Sequence, residues 1–255
     1  MSEPGQDAAK LKEEFIRLRG YWNQAWENVL RMAPEYFESY LEMCAVPWRT
    51  RSLPPKVKEL IYIAVNCSAT HLHEPALRPH IANALKYGAS AAEIIEVFRL
   101  TSVLGIHTMV TGLPLLLGVL DSRGTPVVLD DLSPHQRAVR DEYLAARGFW
   151  NPKWDGMLAL APDFTEAHIN MGHATREAGP LEPKVKEFVW IAIDSSTTHL
   201  FEDGVRNHMT AALKFGATVE EIVEVFELTC DLGVQSVTFG ISILAEEMAK
   251  LESSE

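Results

Sequence analysis

Two segments of the chain carry the side chains best suited to chemistry, CSATHLHEPALRPH at 67–80 and SSTTHLFEDGVRNH at 195–208. Both keep a histidine at His71/His199, a glutamate at Glu74/Glu202, an arginine at Arg78/Arg206 and a second histidine at His80/His208. A further glutamate, Glu59/Glu187, recurs upstream of each segment. Imidazole exchanges a proton near neutral pH, so His80 and His208 are candidate catalytic acid–base groups. Glu59 and Glu187 are candidates to orient them, or to share a proton relay, if the two helices pack side by side. The alternative is a core histidine satisfied by a carboxylate, kept only to hold the helix pair together. Arg78 and Arg206 can clamp a substrate carboxylate with two parallel hydrogen bonds. They can equally pair with Glu74 and Glu202, which stand four residues earlier in the favourable order for a helix. His71 and His199 either complete a polar pocket or cap the preceding helix.

Metal and thiol chemistry are weaker readings. His71, His73, Glu74 and His80 offer imidazole and carboxylate ligands, but His73 is replaced by Phe201 in the second segment. Positions nine apart also fall on opposite faces of a straight helix. No metal and no cofactor is expected. Cys67 is matched by Ser195 and Cys230 by Ser102, while Cys44 precedes the motif. An imidazolium four residues away can stabilise a thiolate at Cys67, yet a small buried apolar residue is the simpler role.

The elements that must position these groups come in two copies, 128 residues apart. LPPKVKELIYIAV at 53–65 returns as LEPKVKEFVWIAI at 181–193, and 31 of the 64 positions from Leu53 to Leu116 are identical without a gap. Gly20, Trp22, Asn23, Trp26, Ala33 and Pro34 return as Gly148, Trp150, Asn151, Trp154, Ala161 and Pro162. Two equivalent folded units follow: residues 7–118, a linker at 119–134 broken by Gly124, Pro126 and Pro134, and residues 135–246. Ser90–Glu93 and Thr218–Glu221 read as capping boxes before helix-periodic apolar runs. Gly88 and Gly216 end the helices before them, and Pro55 and Pro183 suit a first helical turn. The fold class is all-α, with five or six helices per unit, the longest two forming an antiparallel pair. One pseudo-symmetric body is expected rather than two tethered lobes.

Composition narrows the partners. A formal net charge of −12, from 35 acidic and 23 basic residues, leaves no basic stripe for nucleic acid and disfavours an anionic membrane. The first fifteen residues hold no apolar core of a secretory signal. No apolar run reaches the ~18 residues of a transmembrane helix. Three cysteines without a CxxC fit free thiols in a cytoplasmic protein.

The run KELIYIAV…H…GASAAEIIEVF, repeated as KEFVWIAI…H…GATVEEIVEVF, resembles the carboxymuconolactone decarboxylase and alkyl hydroperoxidase D-like superfamily. The two copies cover nearly the whole chain. The resemblance implies an all-α fold and a homo-oligomer, a trimer favoured over a dimer. It matches the family glutamate to Glu59 and Glu187 and the family histidine to His80 and His208. It also places Glu74 and Glu202 at the acidic position of decarboxylase-type members. Peroxidase-type members carry a CxxC before that histidine, where this chain has His73 and Ala76, then Phe201 and Gly204. The redox pair is absent from both copies. What the resemblance then implies is a cofactor-independent lyase acting on a small cyclic or aromatic-derived carboxylic acid. A non-catalytic ligand-binding or assembly protein and a divergent thiol-linked peroxide protein are the alternatives.

Overall fold

The computed structural model describes residues 4–129, 131–147, 150–177 and 179–253. Gly148, the sequence partner of Gly20, and Asp130, inside the segment read as a linker, lie outside the described residues. Among those described the chain forms fourteen α-helices, three short 3-10 turns and no strand. The first repeat supplies α1 (Pro4–Arg19), α2 (Gln24–Met32), α3 (Pro34–Thr50), α4 (Pro55–Cys67), α5 (Glu74–Lys86), α6 (Ala91–Ser102) and α7 (His107–Ser122). The second supplies α8 (Pro134–Arg147), α9 (Asp155–Leu160), α10 (Pro162–Glu177), α11 (Pro183–Ser195), α12 (Glu202–Lys214), α13 (Val219–Cys230) and α14 (Gln235–Glu252). Seven helices per repeat exceed the five or six expected, in part because Pro34 and Pro162 each begin a new helix after a short preceding one. The intimate helical pair in each repeat is α4 with α5, and α11 with α12, which are not the longest helices.

The anticipated start and stop signals act as sequence chemistry requires. Pro55 and Pro183 occupy first helical positions, where the missing N–H costs nothing. Ser90 and Glu93 exchange side chain-to-backbone hydrogen bonds, and Thr218 and Glu221 do the same. Between α4 and α5 the chain reverses through Leu72 at φ 46°, and between α11 and α12 through Leu200 at φ 49°. A left-handed leucine is unusual, and its recurrence shows that the reversal is held from both sides. The N–H of His73 donates to the Asn66 carbonyl at 2.8 Å, and that of Phe201 to the Asp194 carbonyl at 2.8 Å.

The chain divides into two compact units, Met1–Thr101 with Leu181–Glu255, and Ser102–Pro180. This division cuts across the sequence repeats. In the first unit α4 packs against α11 and α13, so the central helices of both repeats share one core. Leu60, Ile61 and Ile63 of α4 and Phe188, Val189 and Ile191 of α11 are fully buried. Each contributes on the order of 1.5–3 kcal/mol by leaving water. The packing is reciprocal about a pseudo-twofold axis. Lys58 pairs with Glu224 at 2.6 Å, and its repeat partner Lys186 pairs with Glu96 at 2.7 Å. Leu53 N–H donates to Glu224, as Leu181 N–H donates to Glu96. Thr70 and Thr198 meet hydroxyl to hydroxyl at 3.2 Å, each facing its own repeat partner. A second apolar cluster joins Phe15, Trp26, Phe37 and Tyr40 to Val234, with α14 laid against α2.

The second unit holds α7 to α10. Leu132, Val139, Tyr143, Leu158 and Ile169 form its core, with Trp150 and Trp154 packed on it. Gly156 lets α9 approach α7, since a Cβ there would sit 2.9 Å from Leu117 Cδ1. Helix α7 runs to Ser122 and Gly124, at φ 73°, follows its end.

Two helical stretches, Ala91–Ser122 and Val219–Glu252, are long and apolar enough to cross a membrane by length and composition. This corrects the expectation that none exists. The sequence count demanded an unbroken apolar run, whereas a helix reaches the same mean hydropathy with Thr, Ser, Gly and His interspersed.

Candidate active site

Glu59 lies on α4 and His80 on α5, and the close pairing of these helices brings the two side chains together. His80 Nδ1 lies 2.7 Å from Glu59 Oε2, with 3% of the histidine and 1% of the glutamate side chain exposed. A carboxylate on Nδ1 holds that nitrogen as a donor and leaves Nε2 as the working nitrogen. The other oxygen of Glu59 accepts from Asn83 Nδ2 at 3.2 Å, and the same amide donates to the Arg19 carbonyl at 2.7 Å. Gly20 makes this contact possible: at φ 73° it turns the chain, and a Cβ there would lie 2.9 Å from Asn83 Oδ1.

His80 is one wall of a cavity with about 50 Å³ open to water-sized bodies, lined also by Arg19, Tyr21, Tyr40, Tyr62, His73, Asp231 and Gln235. Since about 10–15 Å³ so measured holds one water, the space suits a small organic acid or a few waters. Tyr62 stacks on His80 at 4.4 Å, and Tyr21 meets the same ring edge-on at 6.0 Å. The guanidinium of Arg19 lies 4.7 Å over the Tyr62 ring and pairs with Asp231 Oδ2 at 2.9 Å. Tyr40 donates its hydroxyl proton to Asp231 Oδ1 at 2.7 Å. Burial pushes Tyr21 up to about 12 and raises Tyr40 and Tyr62 well above the usual phenol range. These hydroxyls therefore stay protonated at neutral pH. The Tyr62 hydroxyl is buried without a hydrogen-bond partner.

The structure places the other candidates less centrally. Arg78 and Glu74 are 77% and 68% exposed and bond to each other along α5, so Arg78 does not reach the cavity. Their i,i+4 spacing on an exposed helix face decides this in favour of the ion-pair reading. Arg206 and Glu202 are likewise exposed on α12. The cation at the cavity is Arg19 instead. Its match to Arg147 at the 128 offset was the signal that would have nominated it. Asp231 carried no such signal, because its repeat partner is Val103. His71 bonds through Nε2 to Gln235, whose amide donates to Asn66 Oδ1 at 2.7 Å. His71 thus ties the turn before α5 to α14. His71, His73, Glu74 and His80 do not converge on one point. Burial, then the neighbouring His71, lowers the pKa of His73. Cys67 is half-buried and its thiol is pushed up by burial, against the thiolate reading.

The second dyad keeps the core geometry: His208 Nδ1 lies 2.7 Å from Glu187 Oε2, and Trp190 stacks on the imidazole at 4.8 Å. Its surroundings differ. Asp194 stands where the first repeat has Asn66, and burial pushes its carboxyl up to about 8. Ala211 replaces Asn83, and His208 is 22% exposed. Burial lowers the pKa of His199.

The structure is a duplicated all-α unit with a buried carboxylate–histidine dyad in its first repeat, and the sequence holds no CxxC. The chain belongs to the carboxymuconolactone decarboxylase family, whose pattern matches residues 34–107 and 162–234. A crystal structure from Burkholderia xenovorans LB400 is similar over the full length, with 35% identity and a TM-score of 0.91. The similarity covers 100% of this chain and 99% of that one. That protein carries a provisional assignment as a gamma-carboxymuconolactone decarboxylase subunit. No curated protein matches the sequence. One or two such apolar helical stretches, by length and composition alone, are weak evidence for a membrane span.

Proposed function

We propose that the chain is a cofactor-independent lyase that decarboxylates a small cyclic or aromatic-derived acid at the His80 cavity. The observation that carries this reading is the Glu59–His80 dyad, buried and adjoining a cavity that also presents a buried arginine. A purely structural histidine would need no such cavity. Glu59 holds the imidazole so that Nε2 faces the reacting carbon. Arg19 and the tyrosine hydroxyls stabilise negative charge that develops as the carboxylate leaves. The carbon–carbon bond breaks, its electron pair passes into the conjugated carbonyl as an enolate, and CO₂ departs. Protonated His80 then delivers one proton to carbon, with no net oxidation. Three features support this over thiol-linked peroxide chemistry: the raised thiol of Cys67, the serine opposite it and the missing CxxC.

The test is release of CO₂ from carboxylated muconolactones, followed together with solvent deuterium incorporation. His80→Gln is expected to lower turnover by about 10²-fold or more, the scale of a positioned acid–base group. Cys67→Ser is expected to leave it unchanged. Undiminished turnover in His80→Gln would overturn the assignment.

A further inference from the structure

Two polar atoms at the His80 cavity are buried and unpaired. The Tyr62 hydroxyl and His73 Nδ1 are shielded from solvent and have no hydrogen-bond partner among the described residues. Both residues line the cavity, and Tyr62 is 3% exposed. Burying a polar atom without a partner opposes folding, so each calls for a physical reason.

The second repeat shows what the fold itself requires at these two positions. Trp190 stands where the first repeat has Tyr62, and Phe201 where it has His73. The ring packing is kept. Tyr62 stacks on His80 at 4.4 Å, and Trp190 on His208 at 4.8 Å. His73 lies against His71 at 5.4 Å, and Phe201 against His199 at 5.9 Å. The main-chain bonds that His73 and Phe201 donate across the turn are both 2.8 Å long. Phe201 brings no polar side-chain atom, and the Trp190 N–H donates to the Leu100 carbonyl at 3.2 Å. Packing thus accounts for an aromatic ring at each position. It does not account for the hydroxyl or the ring nitrogen of the first repeat.

We propose that Tyr62 and His73 determine specificity, by hydrogen-bonding a carbonyl or hydroxyl oxygen carried on the ring of the small acid besides its carboxylate. The inference rests on the reading of the His80 cavity as the site of that acid. Arg19 is the cation suited to the carboxylate, which leaves the two unpaired atoms for a second oxygen. Burial, then the neighbouring His71, keeps His73 neutral at neutral pH. A protonated phenol and a neutral imidazole can each donate or accept a bond, so either kind of oxygen satisfies them. In the decarboxylation proposed above, a carbonyl held here is the oxygen on which negative charge collects. A ligand lacking that oxygen leaves both atoms buried and unpaired, and sites built in this way reject such analogues.

The test compares cyclopentanecarboxylate with its γ-keto and γ-hydroxy derivatives, by calorimetric titration of the full-length chain. The γ-keto acid carries its carbonyl too far from the carboxylate to lose CO₂, so binding is read without turnover. The wild type should bind the better of the two oxygenated acids about tenfold or more tightly than the parent acid. Tyr62→Phe and His73→Phe should each reduce that preference by about threefold or more, and the double variant should show none. Each variant keeps its ring, and its thermal midpoint without ligand should not fall, because only an unpaired atom is lost. Equal wild-type affinity for all the acids overturns the proposal, and so does a preference that survives in the double variant. Wild-type binding of none of them overturns the reading of the cavity as an acid site, and this inference with it.

Discussion

At the scale of single residues, the His80 cavity is defined by who holds whom. Glu59 fixes His80, Asn83 fixes Glu59, and Gly20 leaves the space in which Asn83 does so. Gly20→Ala forces a side chain into the left-handed region, at about 1–2 kcal/mol, and drives a methyl against Asn83. The expected result is a lowered thermal midpoint together with weaker catalysis, because the second oxygen of Glu59 loses its donor. Arg19 acts through geometry as well as charge. Arg19→Lys keeps the cation but removes the planar fork. Under the proposed function KM should rise by about tenfold or more, the value of one charge-assisted hydrogen bond, while the His80 pH profile stays in place. Steady-state kinetics across pH separates the two effects.

At the scale of elements, the two repeats are locked by reciprocal buried ion pairs. Burial alone would raise the Glu224 carboxyl, but hydrogen bonds from Lys58, Thr50 and the N–H groups of Leu53 and Ser52 outweigh it and hold it below its usual range. Because the folded value is depressed, this contribution to stability is complete above the ordinary carboxyl range and fades as pH falls through the folded value. Denaturant midpoints between pH 7 and pH 3 should therefore drop in the wild type, and less steeply in Glu224→Gln. Lys58→Met removes one partner and leaves the other buried, which costs about 3–5 kcal/mol. Lys186→Met should cost a similar amount, since it removes the repeat-related pair. The capping boxes, the proline starts and the glycine stops of these helices were legible in sequence, because each is a local signal within one turn. The partner of Lys58 was not, because it lies 166 residues away.

At the scale of the molecule, the compact units do not coincide with the repeats. The first repeat contributes Arg19 and His80 to the cavity, and the second contributes Asp231 and Gln235. A fragment of residues 1–128 would keep Lys58 and Arg19 but lose Glu224 and Asp231, leaving two buried cations without their anions. Such a fragment is expected to show no cooperative unfolding transition as a monomer. A full-length chain cut once between Thr125 and Pro126 should keep its halves together. Calorimetry on the fragment and size-exclusion chromatography on the nicked chain check the two expectations.

By itself the sequence determined the duplication and the helical class and nominated the two carboxylate–histidine pairs, which the packing of α4 on α5 and of α11 on α12 then brought together. Identity at a fixed offset, helix periodicity and capping chemistry are all written along the chain. It did not separate Arg78 from Arg19 as the cation of the site. Spacing says only that Arg78 can reach Glu74, and that proved to be its exposed partner. Only the tertiary structure decided that α14 of one repeat closes the cavity of the other. Only there did Asp194, a single substitution from Asn66, come to lie 4.0 Å from His199 and 3.9 Å from His208. Burial and long-range packing set those relations, and neither is encoded within the few residues of a local motif.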